Sequence, residues 1–338
     1  MNHAQPDRVR LSDVAKLAGV SMKTVSNVVH DYPHVSPEYR QKVQAAIDAL
    51  GYRPNLAARQ LVTGRTGMIA LAIPWIDQPY FAELSRHMAE AAGRHDYRVL
   101  IEQTSNNMAL ERAVLRDREQ GLVDGVIFHP VMIDTIEIAR LQPNTPLVLL
   151  GESAMPLTTD HVMIDNVSAA REAVSMLVAQ GRRRICFLAT MRDDISGSTQ
   201  QRLLGYQEAL VEAGLPLDPE LVLRSNDWSV AAATAALEDA LRSGHDIDAV
   251  LCRDDTFAIG ALHAVSHCGR AVPDSIAVVA WDDTILARYA IPKLTAVSPD
   301  KPAIAATALE LLMQRINGYS GIGRHEIVAH KIVERGTT

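Results

Sequence analysis

The chain has 338 residues, of which 48% are hydrophobic and 22% charged, with a formal net charge of −7. That length allows two or three domains with substantial cores, and the composition is that of an ordinary soluble protein rather than a disordered or fibrous one. No run of about 18 apolar residues could span a membrane. Cys186, Cys252 and Cys268 are too few and too scattered for a disulfide framework or a zinc site. The opening MNHAQPDRVR lacks the apolar core of a secretory signal, so a reducing cytoplasm is the expected compartment. The charge is unevenly distributed. Residues 1–66 hold nine Lys/Arg and five Asp/Glu, a balance of +4, which leaves 24 basic and 35 acidic residues, or −11, for the remainder. A basic module on an acidic body is the footprint of a local nucleic-acid contact.

In chain order, the first helix is predicted from Ser12, a good N-cap, with Val14, Leu17 and Ala18 on one apolar face. Gly19 ends it by supplying the positive φ of a sharp turn. Val20 fills the turn, Ser21 caps a second helix, and Val25, Val28 and Val29 point inward. Met22, Lys23, Ser26 and Asn27 are then left on the outer face. A second helix with short polar and basic groups near its N-terminus suits the major groove of DNA. A third helix follows: Ser36 caps it, Pro37 takes the favoured first position, Glu38 complements the helix dipole, and Val43, Ala46, Ile47 and Leu50 repeat at helical spacing up to Gly51.

Residues 11–36, LSDVAKLAGVSMKTVSNVVHDYPHVS, resemble the helix-turn-helix headpiece of the lactose/galactose-repressor family of bacterial transcription regulators. The next segment, Tyr52-Arg-Pro-Asn-Leu-Ala-Ala-Arg-Gln-Leu61, resembles that family's hinge helix. About eight residues are too few for a stable isolated helix in water, so this segment is expected to order only on DNA, against a second subunit. The resemblance implies that Leu61 wedges into the minor groove beside Asn55 and Ala58. It also implies that Met22 and Lys23 choose sequence, with Lys23 donating to guanine and Met22 lying on a thymine methyl. Asn27 stands where many relatives carry arginine. Ser21, Thr24, Ser26 and His34 are expected at phosphates, with Leu11 near the backbone.

From residue 68 short apolar runs alternate with amphipathic stretches. The predicted strands are Met68–Ile73, Arg98–Ile101, Val126–Phe128, Leu147–Leu150, Ile185–Leu188, Leu221–Leu223, Ala249–Cys252, Ile276–Ala280 and Glu326–Val333. Predicted helices lie near Phe81–Ala92, Leu110–Gln120, Ala170–Ala179, Arg202–Ala213 and Ala231–Arg242. Strands alternating with helices imply doubly wound parallel sheets. Weaker motifs extend the resemblance here: Val123-Asp-Gly125, Asp165-Asn166, Arg202-Leu-Leu-Gly205, Asp255…Ala258-Ile-Gly260 and Trp281-Asp-Asp283. The expected fold is an all-α helix-turn-helix headpiece joined to an α/β core of two lobes like those of periplasmic sugar-binding proteins. The expected boundaries are 1–53 for the headpiece, 54–66 for hinge and linker, 67–166 with 300–324 for one lobe, and 167–299 with 325–338 for the other.

Each of the three tryptophans follows a predicted strand, where ligands of open α/β sheets bind. Aromatic faces at strand ends suit a sugar ring, whose hydroxyls need polar partners nearby. Trp75, Asp77, Tyr80 and Phe81 in the first loop, with Arg202, Trp228, Asp254, Trp281 and Asp282, form the expected effector site. By resemblance Arg202 and Asp282 grip hydroxyls and Asp254 lies at a third such position. Trp281 packs structurally or contacts ligand, Tyr80 and Phe81 line the site or anchor the next helix, Asp283 caps a loop or contacts ligand, and Asp165 with Asn166 orders a turn.

No dinucleotide, P-loop, nucleophile-elbow or metalloprotease motif occurs, so no enzyme, cofactor or metal is expected. His263 and His267 could share a helix face and bind metal, but no nearby Cys or Glu completes such a site, so a solvated or packed pair is expected. The expected function is a ligand-controlled repressor acting on a roughly palindromic operator as a homodimer. No leucine-heptad tail follows the last predicted strand, which favours a dimer over a tetramer. A sugar is the favoured effector, a purine or other small molecule the alternative. A transport-type sugar-binding protein and a sugar-processing enzyme are the competing functions.

Overall fold

The computed structural model describes residues 9–29, 32–52, 64–116, 121–141, 145–152, 156–189, 197–225 and 227–338. The chain divides into two compact units, Met1–Thr66 and Gly67–Thr338. Asn55, Ala58 and Leu61 lie outside the described residues.

The first unit packs three helices, α1 (Leu11–Ala18), α2 (Met22–Val29) and α3 (Pro37–Leu50), around Val14, Ala15, Val25, Val28, Val43 and Ala46. The first helix starts two residues earlier than Ser12 would set it. Its N-cap is Arg10, whose backbone N–H donates to the Asp13 carboxylate at 2.8 Å, so Asp13 does the work expected of a serine hydroxyl. Leu17, expected inside, is 56% exposed, and Ala15 takes its place in the core. Gly19 at φ 67° and Gly51 at φ 60° end α1 and α3 in the left-handed conformation that a Cβ disfavours. Ser21 caps α2 by accepting from the Thr24 N–H at 3.1 Å, and Ser36 caps α3 through the Tyr39 N–H.

The second unit contains two six-stranded sheets. In the first, β1 (Met68–Ile73), β2 (Arg98–Gln103), β3 (Gly125–Phe128), β4 (Leu147–Leu150), β5 (Asp160–Ile164) and β11 (His325–Val328) run in the order β11-β5-β4-β3-β1-β2, all parallel. In the second, β6 (Ile185–Ala189), β7 (Val222–Arg224), β8 (Ala249–Cys252), β9 (Ala277–Trp281), β10 (Thr295–Pro299) and β12 (His330–Val333) run in the order β12-β10-β9-β8-β6-β7. Only β12 is antiparallel to its neighbour. The central strands GVIF, LVLL, AVLC and AVVAW are buried along their whole length, as strands covered by helices on both faces must be. By contrast β2, at a sheet edge, exposes most of its side chains.

Helices α4 (Pro79–Gly93), α5 (Met108–Arg116) and α6 (Thr135–Leu141) follow strands of the first sheet, and α7 (Asn166–Ala179), α8 (Gly197–Glu212), α9 (Val230–Arg242), α10 (Asp255–His267) and α11 (Ile285–Tyr289) belong with the second. Helix α12 (Lys301–Ile316) returns to pack on α4 and β3–β5. The chain thus crosses between lobes after β5, after β10 and between β11 and β12. That last crossing corrects one expectation. Glu326–Val333 is not a single strand: His325–Val328 pairs with β5 in the first sheet and His330–Val333 with β10 in the second. Residues 325–328, assigned from sequence to the second lobe, therefore belong to the first. The single residue Ala329 carries the switch, too little sequence to show a boundary.

Candidate functional site

The interface expected on DNA is built on α2. Met22 is 57% exposed and Lys23 is exposed beside it, Thr24, Ser26 and Asn27 are half-buried, and Val25 and Val28 are buried in the core. The Ser21 and Thr24 hydroxyls also hydrogen-bond to each other at 2.9 Å. His34 is exposed, with its ring edge-to-face against Tyr32. Leu11 is half-buried against the headpiece core and combines a packing role with its expected place near the backbone.

In the second unit a cavity, partly open to solvent, lies between the carboxyl ends of the two sheets. Its location follows from topology. β1 is flanked by β2 and β3, and β6 by β7 and β8, so each sheet has a switch point where neighbouring connections depart in opposite directions and leave a crevice. Trp75 after β1, His129 after β3, Trp228 after β7 and Arg253-Asp254 after β8 all line this cavity. Tyr80 and Phe81 project from the first turn of α4 and Arg202 from α8. Asp282, one residue past β9, completes the polar side, and Leu150, Val162, Ile164 and Ile304 form an apolar wall.

Seven of the nine residues expected at an effector site are therefore brought together. Asp77 is not: it is exposed and does not line the cavity. Trp281 is not either. It is the last residue of β9, paired with Val297, and is fully buried. Its ring supports the Arg202 guanidinium from behind at 4.1 Å, the packing alternative of the two weighed for it. Asp283 binds protein rather than the cavity: it accepts from Arg335 at 2.7 Å and from Ser298 at 3.1 Å.

The polar groups are preorganised by their neighbours. Arg202 donates through Nε to Asn166 at 2.8 Å and through Nη1 to the Arg253 carbonyl. Asn166 donates in turn to Glu152 at 2.7 Å, while Asp165 caps α7 through the Ser168 N–H. Arg253 stacks on Trp228 at 3.6 Å and pairs with Asp254 at 2.6 Å. The other Asp254 oxygen accepts from the Phe257 N–H at the start of α10. Asp282 adopts φ 93° and Asp283 φ 48°, conformations that cost a non-glycine residue about 1–3 kcal/mol. The buried Lys301 ammonium holds this turn by donating to both carbonyls. Lys301 also pairs with Glu83 of α4 at 3.4 Å, and Glu83 accepts from the Ile285 N–H and Arg288, so these charges tie the two lobes together beside the cavity.

Sequence reasoning missed His129, Glu152, Asn106 and Arg253. The strand-end signal was applied only to tryptophans, yet His129 and Arg253 each directly follow a strand. His129 packs edge-to-face on Phe81, and Gly151 at φ 77° leaves the room its ring needs, since a Cβ there would come within 2.5 Å of it. Burial pushes the His129 imidazole down to about 4, so it is neutral at pH 7. The sequence reading also saw no acid near His263 and His267, but Glu238 from the neighbouring helix meets His267 Nδ1 at 2.7 Å. Among the described residues no three His, Cys, Asp or Glu side chains are grouped to hold a metal ion.

Burial raises the Asp282 carboxyl to about 6, with Arg202 opposing. Asp255 behind it, accepting from the Thr284 N–H at 2.6 Å, is raised to about 8, chiefly by burial and then by Asp282. A carboxyl whose folded value exceeds its unfolded one stabilises fully below the unfolded value of about 3.9 and loses that contribution as pH rises through the folded value. These two groups therefore make the protein less stable at pH 8 than at pH 5. Asp255→Asn keeps the acceptor for Thr284 and removes the larger part of that slope. Its Tm at pH 8 should exceed the parent's by at least about 2–4 °C, with little difference at pH 5. Thermal melts across this range check it; equal slopes for the two proteins would refute it.

Residues 10–55 match the description of bacterial regulatory proteins of the lacI family, and residues 146–338 that of a periplasmic binding protein-like domain. The chain is 30% identical over 331 residues to the HTH-type transcriptional regulator RegA of Clostridium saccharobutylicum, covering 97% of this chain and 98% of that one. Among solved structures, a lac repressor dimer bound to operator and an anti-inducer superposes with a TM-score of 0.84 at 27% identity, covering 98% of this chain and 99% of that one. A complex of the regulator CelR with cellobiose gives a TM-score of 0.72 at 28% identity, covering 98% of this chain and all of that one. With a helix-turn-helix unit, a two-lobed α/β unit and relatives matched over nearly its whole length, the chain belongs to the lacI family of bacterial DNA-binding transcriptional regulators.

Proposed function

We propose that this regulator is a repressor of sugar-utilisation genes, released from a roughly palindromic operator when a sugar fills the cavity between its lobes. The observation that carries this reading is the cavity itself. It has aromatic faces at Trp75, Tyr80, Phe81 and Trp228 beside the hydrogen-bonding groups of Arg202, Asp254 and Asp282, the pairing a sugar needs for its C–H face and its hydroxyls. The cellobiose-bound relative supports a sugar, and the operator-bound lac repressor supports a homodimer with two headpieces on two half-sites.

In this reading Met22 and Lys23 read bases, Asn27 meets adenine or the backbone, and Leu11, Ser21, Thr24, Ser26 and His34 set register on the backbone. Asn55, Ala58 and Leu61 form the hinge that enters the minor groove. Effector binding couples to the hinge by changing the relation of the lobes. A hundredfold preference for the DNA-free state is a coupling of about 2.7 kcal/mol.

A thermal-shift screen of sugars and nucleobases, followed by gel shifts on the DNA upstream of the chain's own gene, tests this. The expected result is a palindrome bound in preference to random duplex and released by the sugar that raises Tm. Lys23→Ala should weaken binding by roughly 1–3 kcal/mol and relax specificity at one position of each half-site. A nucleobase hit without a carbohydrate hit overturns the sugar assignment. A ligand that tightens operator binding overturns induction in favour of co-repression.

A further inference from the structure

The start of α4 serves both lobes. Tyr80 and Phe81, in its first turn, line the cavity, whereas Glu83 does not. The Glu83 carboxylate reaches the second lobe instead, accepting from the Ile285 N–H at 3.0 Å and from Arg288 Nη2 at 3.1 and 3.3 Å. The Lys301 ammonium lies 3.4 Å from the same carboxylate. These two cations also hold a turn. Arg288 donates to the Asp283 carbonyl through Nη2 at 2.8 Å and Nε at 3.3 Å, and Lys301 donates to the carbonyls of Asp282 and Asp283. Asp282 and Asp283 are the residues at φ 93° and 48°, and Asp282 lines the cavity. Left-handed conformations at two successive non-glycine residues persist only where the surroundings over-determine them. Ser298 and Arg335 anchor the Asp283 side chain from within the second lobe, but the carbonyls of the turn are held by the cations that Glu83 gathers. Lys301 is only 4% exposed, and a buried ammonium needs a counter-charge, which Glu83 supplies.

We infer that Glu83 is a positioning residue for the cavity: from the first lobe it holds, through Lys301 and Arg288, the strained turn of the second lobe that presents Asp282. The turn is set only while α4 meets α11, so a lobe movement that separates these helices loosens Asp282 at the same time. Ligand binding then answers to the lobe arrangement through a side chain outside the cavity wall. That consequence rests on the cavity being the effector site; the hold on the turn does not.

The test uses the full-length protein with Glu83→Ala and Glu83→Gln, the second of which keeps an acceptor for the Ile285 N–H and Arg288 but removes the charge. Hydrogen exchange read by mass spectrometry follows residues 281–289 without any ligand. Exchange there should rise about tenfold or more in Glu83→Ala and less in Glu83→Gln, with β6 and β8 protected as in the parent. Parental exchange across 281–289 in Glu83→Ala overturns the hold on the turn. A rise spread equally through β6 and β8 overturns it too, because Glu83 would then support the whole second lobe. Titration calorimetry with cellobiose and with glucose reads the consequence. Glu83→Ala should bind the sugar about tenfold more weakly, and Glu83→Gln should recover part of that loss. In an Asp282→Ala background the same Glu83→Ala change should cost no more than about twofold further, since both losses act through one carboxylate. Losses that simply multiply overturn the link from Glu83 to Asp282. If neither sugar binds the parent, both fail as effectors and the exchange result alone decides whether Glu83 holds the turn.

Discussion

Arg202→Lys should bind the effector about 30- to 150-fold more weakly, a loss of roughly 2–3 kcal/mol, while holding the effector-free operator as the parent does. The reason is geometric rather than a matter of charge. The guanidinium lies flat on Trp281 at 4.1 Å, and two of its nitrogens are fixed by Asn166 and the Arg253 carbonyl, so the rest of the fork is held facing Asp282 and the cavity. A lysine ammonium keeps the positive charge that opposes the raised Asp282 carboxyl, but it is a point donor with no flat face to stack. Asn166 then loses its partner, and through it Glu152 loses its orientation. Calorimetry with the effector from the screen gives the affinity, and a gel shift with rising effector gives the concentration for half-release. An unchanged half-release concentration would show that Arg202 only supports the fold.

The second large effect concerns stability. Asp160 is fully buried and accepts two parallel pairs of hydrogen bonds, from Arg315 at 2.8 and 3.0 Å and from Arg324 at 3.1 and 2.7 Å, together with the Arg324 N–H at 2.8 Å. Both guanidiniums also lie over Tyr319. The carboxylate thus ties the start of β5 to the end of α12 and to the segment leading into β11. Asp160→Ala leaves two partly buried cations uncompensated, and should cost about 3–5 kcal/mol, the usual penalty for breaking a buried pair from one side. A urea titration measures it. A loss below about 1 kcal/mol would place the pair with the surface ion pairs that contribute little. The pH dependence carries its own signature. Burial pushes this carboxyl up, but the hydrogen bonds from Arg315 and Arg324 outweigh burial and hold it well below the usual carboxylate range. Its contribution is therefore present above the unfolded value of about 3.9 and lost as pH falls below it. That loss opposes in sign the trend from Asp255 and Asp282, so stability should peak in mildly acidic solution.

The headpiece was legible because its signals are local. Gly19, Ser21, Ser36, Pro37 and Gly51 act within a turn or two of their own positions, and the valine spacing of α2 names its inner face directly. The one cap misread, Ser12, failed because Asp13 competes for the same helix end. In the core, the continuous apolar runs of β1, β4 and β8 could be read as they stand. Strands β5 and β10 could not: DHVMI and TAVSP mix polar and apolar residues, and they are strands because their neighbours pair with them.

The cavity between the lobes divides along the same line. Local sequence determined that the tryptophans follow strands in a doubly wound fold, which suffices to nominate Trp75 and Trp228, while resemblance to family positions nominates Asp254 and Asp282. Only the tertiary structure decided that Trp281 stays inside its strand beneath Arg202, that Asp77 stays off the cavity wall, and that His129, Glu152, Asn106 and Arg253 converge on the same space. Strand-end position is a property of the chain over a few residues. Which side chains face one another across two sheets depends on pairings between segments distant in the chain, and no local pattern encodes those.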